Sequence, residues 1–595
     1  PDGPPPPGMT PGQRLRAILG GSAGNLVEWY DWSTYIFFTV YFASHFFPEG
    51  DQTAQLFKAA AVSAVGFLAR PLGAWLMGAY ADRAGRRAAL TLSVAMMCLG
   101  SLIIALCPTY TQVGALAPAI LLGARILQGL SVGGEYGASA TYLSEVAGAK
   151  RRGFWSSFQY VTLIAGSLSA QGMVVLLQNV LPEADLKAWG WRIPFLGSIF
   201  LLLVSLYIRL QMNESPAFKK MKEEGAQSKA PLREAFGQWK NAKIALIALL
   251  GLTAGQAVVW YSGQFYALFF IQNVVKVDSF SANVFVAWSL ILGTYGFIFF
   301  GRLSDKIGRK PIILAGCLIA AITYFPVFEL LTKTANPALY AAHQTEVTVT
   351  ADPADCSFQF NPTGTVKFTN SCDIAKAQLS KTSVNSTTVA GEAGSVASVK
   401  IGETVIASYD GAKNAAEVAE LTAALETAKA GTDQAATDAA QAALDAAKGV
   451  KAGFEKAVND ALTAAGYPLV ADKNETVAKA SGFLDIFTAQ KLTIIAILTY
   501  LIILVTMVYG PIAAMLVELF PTRIRYSGLS LPYHIGNGWF GGLLPATAFA
   551  ISAQSGNIYA GLWYAIVVAL MTVVIGTIFV PGGTHKKSIF ADDSK

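Results

Sequence analysis

The sequence predicts an all-α membrane protein of twelve transmembrane helices in two six-helix bundles, with a mixed α/β domain inserted into the second bundle. Three observations predict this architecture. Hydrophobic residues make up 53% of the 595 residues and charged residues only 14%, whereas soluble domains carry about 25% charged residues. Twelve apolar stretches reach the roughly 20 residues that a membrane span needs. A ten-residue motif occurs twice, each time between two such stretches.

The apolar stretches are the candidate membrane spans. They fall at residues 17–43, 56–80, 88–107, 116–144, 154–181 and 191–212, and then at 243–272, 281–302, 310–332, 491–517, 525–552 and 557–580. Lys and Arg are concentrated in the loops on one side of these spans, and that side of a membrane protein is normally cytoplasmic. Both termini are therefore predicted to be cytoplasmic. The expected location is the plasma membrane, which in bacteria is the inner membrane. Because the cations lie in short loops rather than on one face, no nucleic-acid partner is expected.

The repeated motif reads G-A-Y-A-D-R-A-G-R-R at Gly78–Arg87 and G-R-L-S-D-K-I-G-R-K at Gly301–Lys310. Two ordinary basic loops would be the simplest interpretation, but five positions agree at identical spacing. The pattern indicates a tight reversal at the cytoplasmic membrane surface. Its key residues are Gly78, Asp82, Arg83, Gly85 and Arg86 in the first copy and Gly301, Asp305, Gly308 and Arg309 in the second.

Comparison of the two halves locates an insertion. Gly78 precedes Glu145 by 67 residues, whereas Gly301 precedes the equivalent Glu518 by 217, so the second half is 150 residues longer. Residues 334–487 contain no spanning stretch and would lie outside the membrane, between spans 9 and 10. Within them, residues 345–410 are predicted to form short strands and residues 413–466 helices, as a hairpin.

Cys356 and Cys372 are the only cysteines in the insertion. An extracytoplasmic space is oxidising, which favours a disulfide between them. Two free thiols are the alternative.

The full predicted organisation is a disordered cytoplasmic tail at 1–15, a first bundle at 16–212, a cytoplasmic linker at 213–241 that crosses the membrane face as a solvated helix, a second bundle at 242–333 and 488–582, the insertion at 334–487, and a cytoplasmic tail at 583–595.

Ionisable residues inside spans are functional candidates, because each costs about 2.5–3.5 kcal/mol to insert. Glu28, Asp31, Arg70, Arg125 and Glu135 have this property in the first half, whereas the second half offers only His534. At about 1.5 Å per residue, Glu28 and Arg70 both lie near the membrane midplane. Two interpretations stay open: an anion site beside a protonatable group, or a static buried salt bridge between Arg70 and Glu28 or Asp31.

The seventh span supplies neutral hydrogen-bonding side chains. Gln256, Trp260 and Gln264 recur at helical spacing, which predicts one wall of a binding cavity. Ordinary aromatic packing is the alternative. His534 and Asn537, one turn apart in span 11, allow the same two interpretations.

Four stretches of the first half resemble the metabolite:proton symporter family of the major facilitator superfamily, whose loop 2–3 and loop 8–9 signature the ten-residue motif also resembles. They read G-N-L-V-E-W-Y-D (Gly24–Asp31), R-P-L-G (Arg70–Gly73), R-I-L-Q-G-L-S-V-G-G-E-Y (Arg125–Tyr136) and W-R-I-P-F (Trp191–Phe195). The resemblance implies a monomeric transporter that carries a small molecule together with protons and needs no cofactor, metal or catalytic site.

The resemblance also implies residue roles. Arg70 would bind substrate, as would Arg192, although a structural arginine at the outer end of its span is an equal interpretation. The Glu28/Asp31 cluster, and Arg125 with Glu135, would couple protons. The motif residues, with Glu145, Glu518 and Arg523, would form the cytoplasmic gate.

An organic carboxylate is the predicted substrate class, because the planar fork of Arg70 matches a carboxylate. A zwitterionic solute such as proline or betaine is the alternative, since Trp29, Tyr30, Trp32 and Trp260 could build an aromatic cage for a cationic group. A receptor that binds ligand through the insertion is a more distant possibility. The sequence shows no nucleophile–base pair and no metal-binding motif, so an enzyme is not expected.

Overall fold

Long apolar helices dominate the fold. The computed structural model describes residues 11–48, 58, 59, 61, 62, 65, 66, 68–147, 149–360 and 366–586. Nine helices in this described part are long and apolar enough to cross a membrane. The predicted tail residues 1–10 and 587–595, and part of the predicted second span, lie outside it.

Six helices form the first bundle. They are α1 (Pro11–Phe46), α2 (Arg70–Ala84), α3 (Arg86–Leu106), α4 (Leu116–Val146), α5 (Arg152–Val180, with a break at Ser157) and α6 (Ile193–Leu210), with short helices at Tyr110–Val113 and Glu183–Ala188. The predicted tail at 1–15 is wrong for residues 11–15, because α1 already begins at Pro11.

The linker and the second bundle follow. The prediction of a single linker helix is wrong. The linker forms two short helices, Pro216–Glu223 and Pro231–Phe236, because a proline favours the first position of a new helix. The second bundle comprises α7 (Trp239–Val274), α8 (Ser279–Ile307, with a turn at Thr294), α9 (Arg309–Ala335), α10 (Ala489–Leu519, with a turn at Gly510), α11 (Arg525–Ile535 and Leu544–Ser555) and α12 (Leu562–Phe579). Three π-helical segments interrupt α7, and one joins the halves of α11.

Glycines bring α2 and α4 together at the level of Arg70. A side chain on Gly73 would collide with the backbone of Leu130, and one on Gly133 with the carbonyl of Arg70. Small residues permit such close helix approach in membranes. The crossing fixes the start of α2, and with it the position of the Arg70 side chain.

The insertion folds around a four-stranded sheet of order β2-β1-β3-β4. Its strands are β1 (Val347–Ala351), β2 (Thr387–Ala390), β3 (Ser398–Ile401) and β4 (Thr404–Ala407), and only β1 and β2 pair in parallel. A helix at Ser371–Lys381 precedes β2, and a disulfide joins Cys356 to Cys372.

The predicted helical hairpin is incomplete. Residues 411–464 form three helices, Gly411–Ala430, Gln434–Lys448 and Val450–Ala464. The first two pack together as the hairpin, and the third buries Phe454, Val458 and Leu462 in the core of the sheet. Gly449 ends the second helix, so the chain turns once more.

The insertion rests on the second bundle. Lys376 Nζ donates to the carbonyl of Gln554 at 2.7 Å, and the amide of Ser386 donates to the carbonyl of Gly556 at 2.9 Å. These bonds hold the domain against the end of α11.

Candidate functional site

Arg70 is the first residue of α2, and its side chain is completely buried. Its guanidinium carbon lies 5.6 Å from the ring centre of Trp29 in α1. It also lies within electrostatic range of the hydroxyls of Tyr261 and Tyr533, which belong to the second bundle. Arg70 therefore faces both bundles at once.

Aromatic rings from both bundles surround this arginine. Tyr136 of α4 stacks face to face on Tyr533 of α11, and the His534 ring meets Tyr136 edge-on at 5.8 Å. The hydroxyls of Tyr136 and Tyr160 are 2.5 Å apart. The two tyrosines of the first bundle and Tyr533 were not predicted from the sequence, because none of them carries a motif or a charge.

The predicted wall of α7 forms part of the same region. The Trp260 ring lies 5.3 Å from Trp29 and 4.8 Å from Tyr509, and its indole nitrogen donates to Gln264. Gln256 is held differently: its side-chain oxygen accepts a bond of 3.2 Å from Asn537 of α11. Asn537 in turn accepts a 2.7 Å bond from the Tyr509 hydroxyl. A hydrogen-bonded network thus links α7, α10 and α11.

Three of the predicted residues lie elsewhere. The Tyr30 hydroxyl donates to the carbonyl of Pro194 at 3.3 Å, within the first bundle. Arg192 donates to the carbonyl of Ala105 at 2.9 Å and lies over the Trp191 ring. The Trp32 ring lies 3.5 Å from the Arg125 guanidinium. Of the four rings that could build the cage, Trp29 and Trp260 lie together, whereas Tyr30 and Trp32 contact other residues of the first bundle.

Asp31 is the centre of a buried polar cluster. It accepts bonds from the hydroxyl of Ser198 at 3.0 Å, from the side-chain nitrogen of Gln128 at 3.1 Å, and from Ser101. Arg125 donates to Gln128 at 2.9 Å. Because these partners come from α3, α4 and α6, one carboxylate connects four helices of the first bundle.

Arg209 is a buried charged residue that sequence analysis missed. Glu135, which was predicted to couple protons together with Arg125, binds Arg209 through both oxygens, at 2.8 Å for the longer bond. Gly24 of α1 makes room for this guanidinium, since a side chain there would collide with it. The sequence did contain a signal for this contact. Arg209 lies in the last turn of a predicted span, and Gly24, the first residue of G-N-L-V-E-W-Y-D, lies at the same level of the bundle.

Glu28 lies beside the Glu135–Arg209 pair and is completely buried. Neither of its carboxylate oxygens has a hydrogen-bond partner among the residues that the structure describes. The salt bridge between Arg70 and Glu28, which was one of the two open interpretations, does not form. Asp31 accepts its hydrogen bonds from neutral side chains, among them Gln128 and Ser198.

The first copy of the motif joins the two bundles. Asp82 bonds to Arg86 at 3.1 Å and accepts bonds from the amide and hydroxyl of Ser527 at 3.0 and 2.6 Å. Arg86 also bonds to Glu145 at 3.2 Å, and Arg525 of the second bundle bonds to the same carboxylate at 3.1 Å. Gly78 lies against Ser527, which lets α2 and α11 cross closely.

The second copy repeats this arrangement with the bundles exchanged. Asp305 bonds to Arg309 at 2.6 Å and accepts bonds from the amides of Gly153 and Phe154 at 2.8 and 3.0 Å. Arg309 also bonds to Glu518 at 2.9 Å. Gly301 lies against Gly153, as Gly78 does against Ser527.

The remaining predicted gate residues contact the linker. Arg83 donates to the carbonyl of Lys229 at 3.2 Å, and Arg523 bonds to Glu234 at 3.2 Å. Gly85 and Gly308, at the helix boundaries of the two motif copies, have φ angles of 111° and 104°. This backbone region is essentially restricted to glycine, which explains the second glycine of the motif.

Comparisons with known proteins identify related transporters. A family model described as "Sugar (and other) transporter" matches residues 18–249, and one described as "MFS/sugar transport protein" matches residues 149–351. The proton:xylose symporter XylE, solved with 6-bromo-6-deoxy-D-glucose, superposes with a TM-score of 0.58 at 15% identity, over 98% of each chain. At that identity the likeness concerns the fold alone.

Sequence relatives are more specific. The alpha-ketoglutarate permease of Escherichia coli (strain K12) is 44% identical over 332 residues, which is 56% of this chain and 74% of the permease. The citrate-proton symporter of Klebsiella pneumoniae is 32% identical over 54% of this chain and 71% of its own. The proline/betaine transporter of E. coli (strain K12) is 32% identical over 56% and 67%. The chain therefore belongs to the major facilitator superfamily, among its proton-coupled metabolite symporters, and is a membrane transporter and not an enzyme.

Proposed function

We propose that this symporter carries a small organic carboxylate, which Arg70 binds between the two bundles. The position of Arg70 carries the proposal: a guanidinium that cannot discharge is buried where side chains of both bundles meet. A substrate carboxylate held there would be recognised by both bundles at once. The relatives support this class, because the substrates in their names, 2-oxoglutarate, citrate, proline and betaine, all carry a carboxylate.

The second candidate is a zwitterionic solute. The contact between Trp29 and Trp260, with Tyr509 beside it, favours it, because aromatic faces attract quaternary ammonium groups. Arg70 would then bind the carboxylate and the two indoles the cationic end. Tyr30 and Arg192 have no part in either scheme, whereas Gln256, Gln264 and His534 line the region around the substrate.

Protons are proposed to enter through the buried acids of the first bundle. Glu28 is the proposed carrier, and Asp31 with Arg125, and Glu135 with Arg209, are its charged neighbours. Protonation of one acid would change the field at Arg70 and so couple proton uptake to substrate binding.

The proposed membrane topology is the one predicted from the apolar stretches and the distribution of Lys and Arg. All twelve long helices would cross the inner membrane of a bacterium as a monomer, in bundles at 16–212 and at 242–333 with 488–582. The linker at 213–241 and both termini would be cytoplasmic, and residues 334–487 would lie outside. The bundles would rock about the central site, opening and closing the contacts of Asp82, Asp305 and their arginines.

Calorimetric titration of purified protein with 2-oxoglutarate and with glycine betaine tests the substrate proposal. Arg70→Lys keeps the charge but loses the bidentate geometry, so affinity for the true substrate should fall about tenfold to hundredfold. Arg70→Ala should abolish binding. Arg192→Gln, which removes an arginine outside the site, is the matched control and should bind within about twofold of wild type.

Two outcomes would overturn the proposal. Wild-type affinity in Arg70→Ala would remove the arginine from the site. Restored affinity in the double variant Arg70→Gln with Glu28→Gln would show that Arg70 only balances a buried acid. A preference for glycine betaine over 2-oxoglutarate would select the zwitterion instead of the carboxylate.

A further inference from the structure

A crevice of about 480 Å³ opens between the first turns of α1 and the start of α5. Its lining residues are Pro11, Arg14, Leu15, Ile18, Arg151 and Trp155. It lies at the same end of the molecule as the gate contacts, because Arg151 immediately precedes Arg152 and Gly153. None of the lining residues forms part of the gate or of the region around Arg70.

Two arginines face this crevice. Neither Arg14 nor Arg151 forms an ion pair within the described part of the chain. The Nε atom of Arg14 is buried and lacks a hydrogen-bond partner among the described residues. Two guanidinium groups at one partly buried site repel each other unless an anion lies between them. The crevice therefore has the charge of an anion site.

The rest of the crevice is apolar and adjoins the outer surface of the first bundle. Leu15 and the next leucine on α1, Leu19, are 50% and 59% exposed. In a membrane-spanning chain such leucines contact lipid acyl chains. Trp155 stacks on Phe158, and tryptophan is enriched at the level of the lipid headgroups. A free anion would use the arginines but not this apolar surface.

We propose that the crevice binds an anionic phospholipid of the leaflet next to the gate. The phosphate lies between Arg14 and Arg151, since arginine binds phosphate through two parallel bonds. One acyl chain follows Leu15 and Leu19. The bound lipid bridges α1 and α5, two helices of the first bundle, beside the residues that contact Asp305.

Quenching of Trp155 fluorescence by brominated lipids tests the proposal. The protein is placed in phosphatidylcholine nanodiscs that contain increasing fractions of brominated phosphatidylglycerol or, separately, brominated phosphatidylcholine. The difference between wild type and Trp155→Phe isolates the signal of this residue. Quenching of that signal should saturate at a low fraction of brominated phosphatidylglycerol. With brominated phosphatidylcholine it should rise in proportion to the brominated fraction, without saturating.

Arginine variants test whether Arg14 and Arg151 bind the lipid phosphate. Arg14→Gln or Arg151→Gln should raise the half-saturating fraction of phosphatidylglycerol about tenfold or more, as loss of a charge-assisted bond predicts. Arg16→Gln removes an exposed charge from the same helix outside the crevice and should change nothing. Equal quenching by both lipids, or an equal effect of Arg16→Gln, would overturn the proposal. Displacement of the lipid signal by inorganic phosphate alone would assign the site to a free anion and also overturn it.

Discussion

Arg152 of the first bundle bonds to Glu518 of the second bundle at 2.6 Å, with both side chains buried. The reciprocal pair is Arg525 with Glu145, at 3.1 Å. Each arginine follows the glutamate of its own bundle by seven residues, yet each binds the glutamate of the other bundle. The two halves of the chain are thus joined, at the end that carries the two motif copies, by an exchanged pair of equivalent bonds.

Removing these arginines should open this end of the molecule. Glu518 and Glu145 keep Arg309 and Arg86, so each variant loses one charge-assisted bond between the bundles. That loss is worth about 1.5–3 kcal/mol, or about tenfold to hundredfold in the population closed at this end. Spin labels at the exposed positions Arg16 and Arg302 should report a longer distance in Arg152→Gln and Arg525→Gln, and most in the double variant. Lys456→Gln, which breaks an exposed pair with Asp460 in the insertion, should leave the distance distribution unchanged. Unaltered distances in the double variant would remove these pairs from the gate.

Glu28→Gln should separate coupling from transport. Since the carboxylate accepts no hydrogen bond in the described structure, the amide removes a protonatable group without breaking a contact. Exchange of labelled substrate across proteoliposomes should persist, while accumulation driven by a proton gradient is lost. Asp31→Asn, which alters a carboxylate held by three side chains, is the comparison. Gradient-driven accumulation by Glu28→Gln at the wild-type level would place the carrier elsewhere.

Arg209→Gln should strongly destabilise the first bundle. It leaves Glu135 as a buried charge without its partner, which costs about 3–5 kcal/mol. The thermal unfolding temperature in detergent should fall, and the double variant with Glu135→Gln should recover most of the loss. If the single and double variants unfold at the same temperature, the pair contributes through geometry and not through charge.

The two motif glycines should differ in their tolerance of a side chain. Both Gly85→Ala and Gly308→Ala force alanine into a strained backbone region, at about 1–3 kcal/mol. At Gly85 the new methyl group would also collide with Glu214, whereas at Gly308 the nearest atom is 3.4 Å away, in His585. The unfolding temperature should therefore fall further in Gly85→Ala. An equal loss in the two variants would mean that the Glu214 side chain moves without cost.

The insertion should lose stability in acid through His343. Burial lowers the pKa of His343 below its ordinary value of 6.5, although Nε2 lies 2.8 Å from the carbonyl of Ser383. The unfolded chain then binds the proton more tightly than the folded domain, so stability is full above about pH 6.5 and falls as the pH drops below it. Amide protection factors in β1 and Val450–Ala464 should be lower at pH 5.5 than at pH 7.5. In His343→Gln they should not depend on pH in this way.

The sequence was sufficient for features that depend on short stretches of chain. Apolar length predicts most spans, because a helix in lipid must satisfy its own backbone within one segment. The motif glycines Gly85 and Gly308 could be recognised because a strained turn requires glycine wherever the fold places it. The spacing of Glu145 and Glu518 from their motifs located the insertion, and Cys356 and Cys372 were the only cysteines that could meet there.

Only the tertiary structure decided which buried charges meet. Arg125 and Glu135 share a helix and were given one role, yet Arg125 lies over Trp32 and Glu135 binds Arg209, 74 residues away. The physical reason is that partner choice depends on how each helix is rotated about its axis and which neighbour it packs against. Those quantities are set by contacts between distant segments, such as the crossing of α2 and α4 at Gly73 and Gly133. The exchange of Arg152 and Arg525 between bundles has the same origin, since either glutamate would have satisfied the sequence pattern and only the packing of the two bundles selects one.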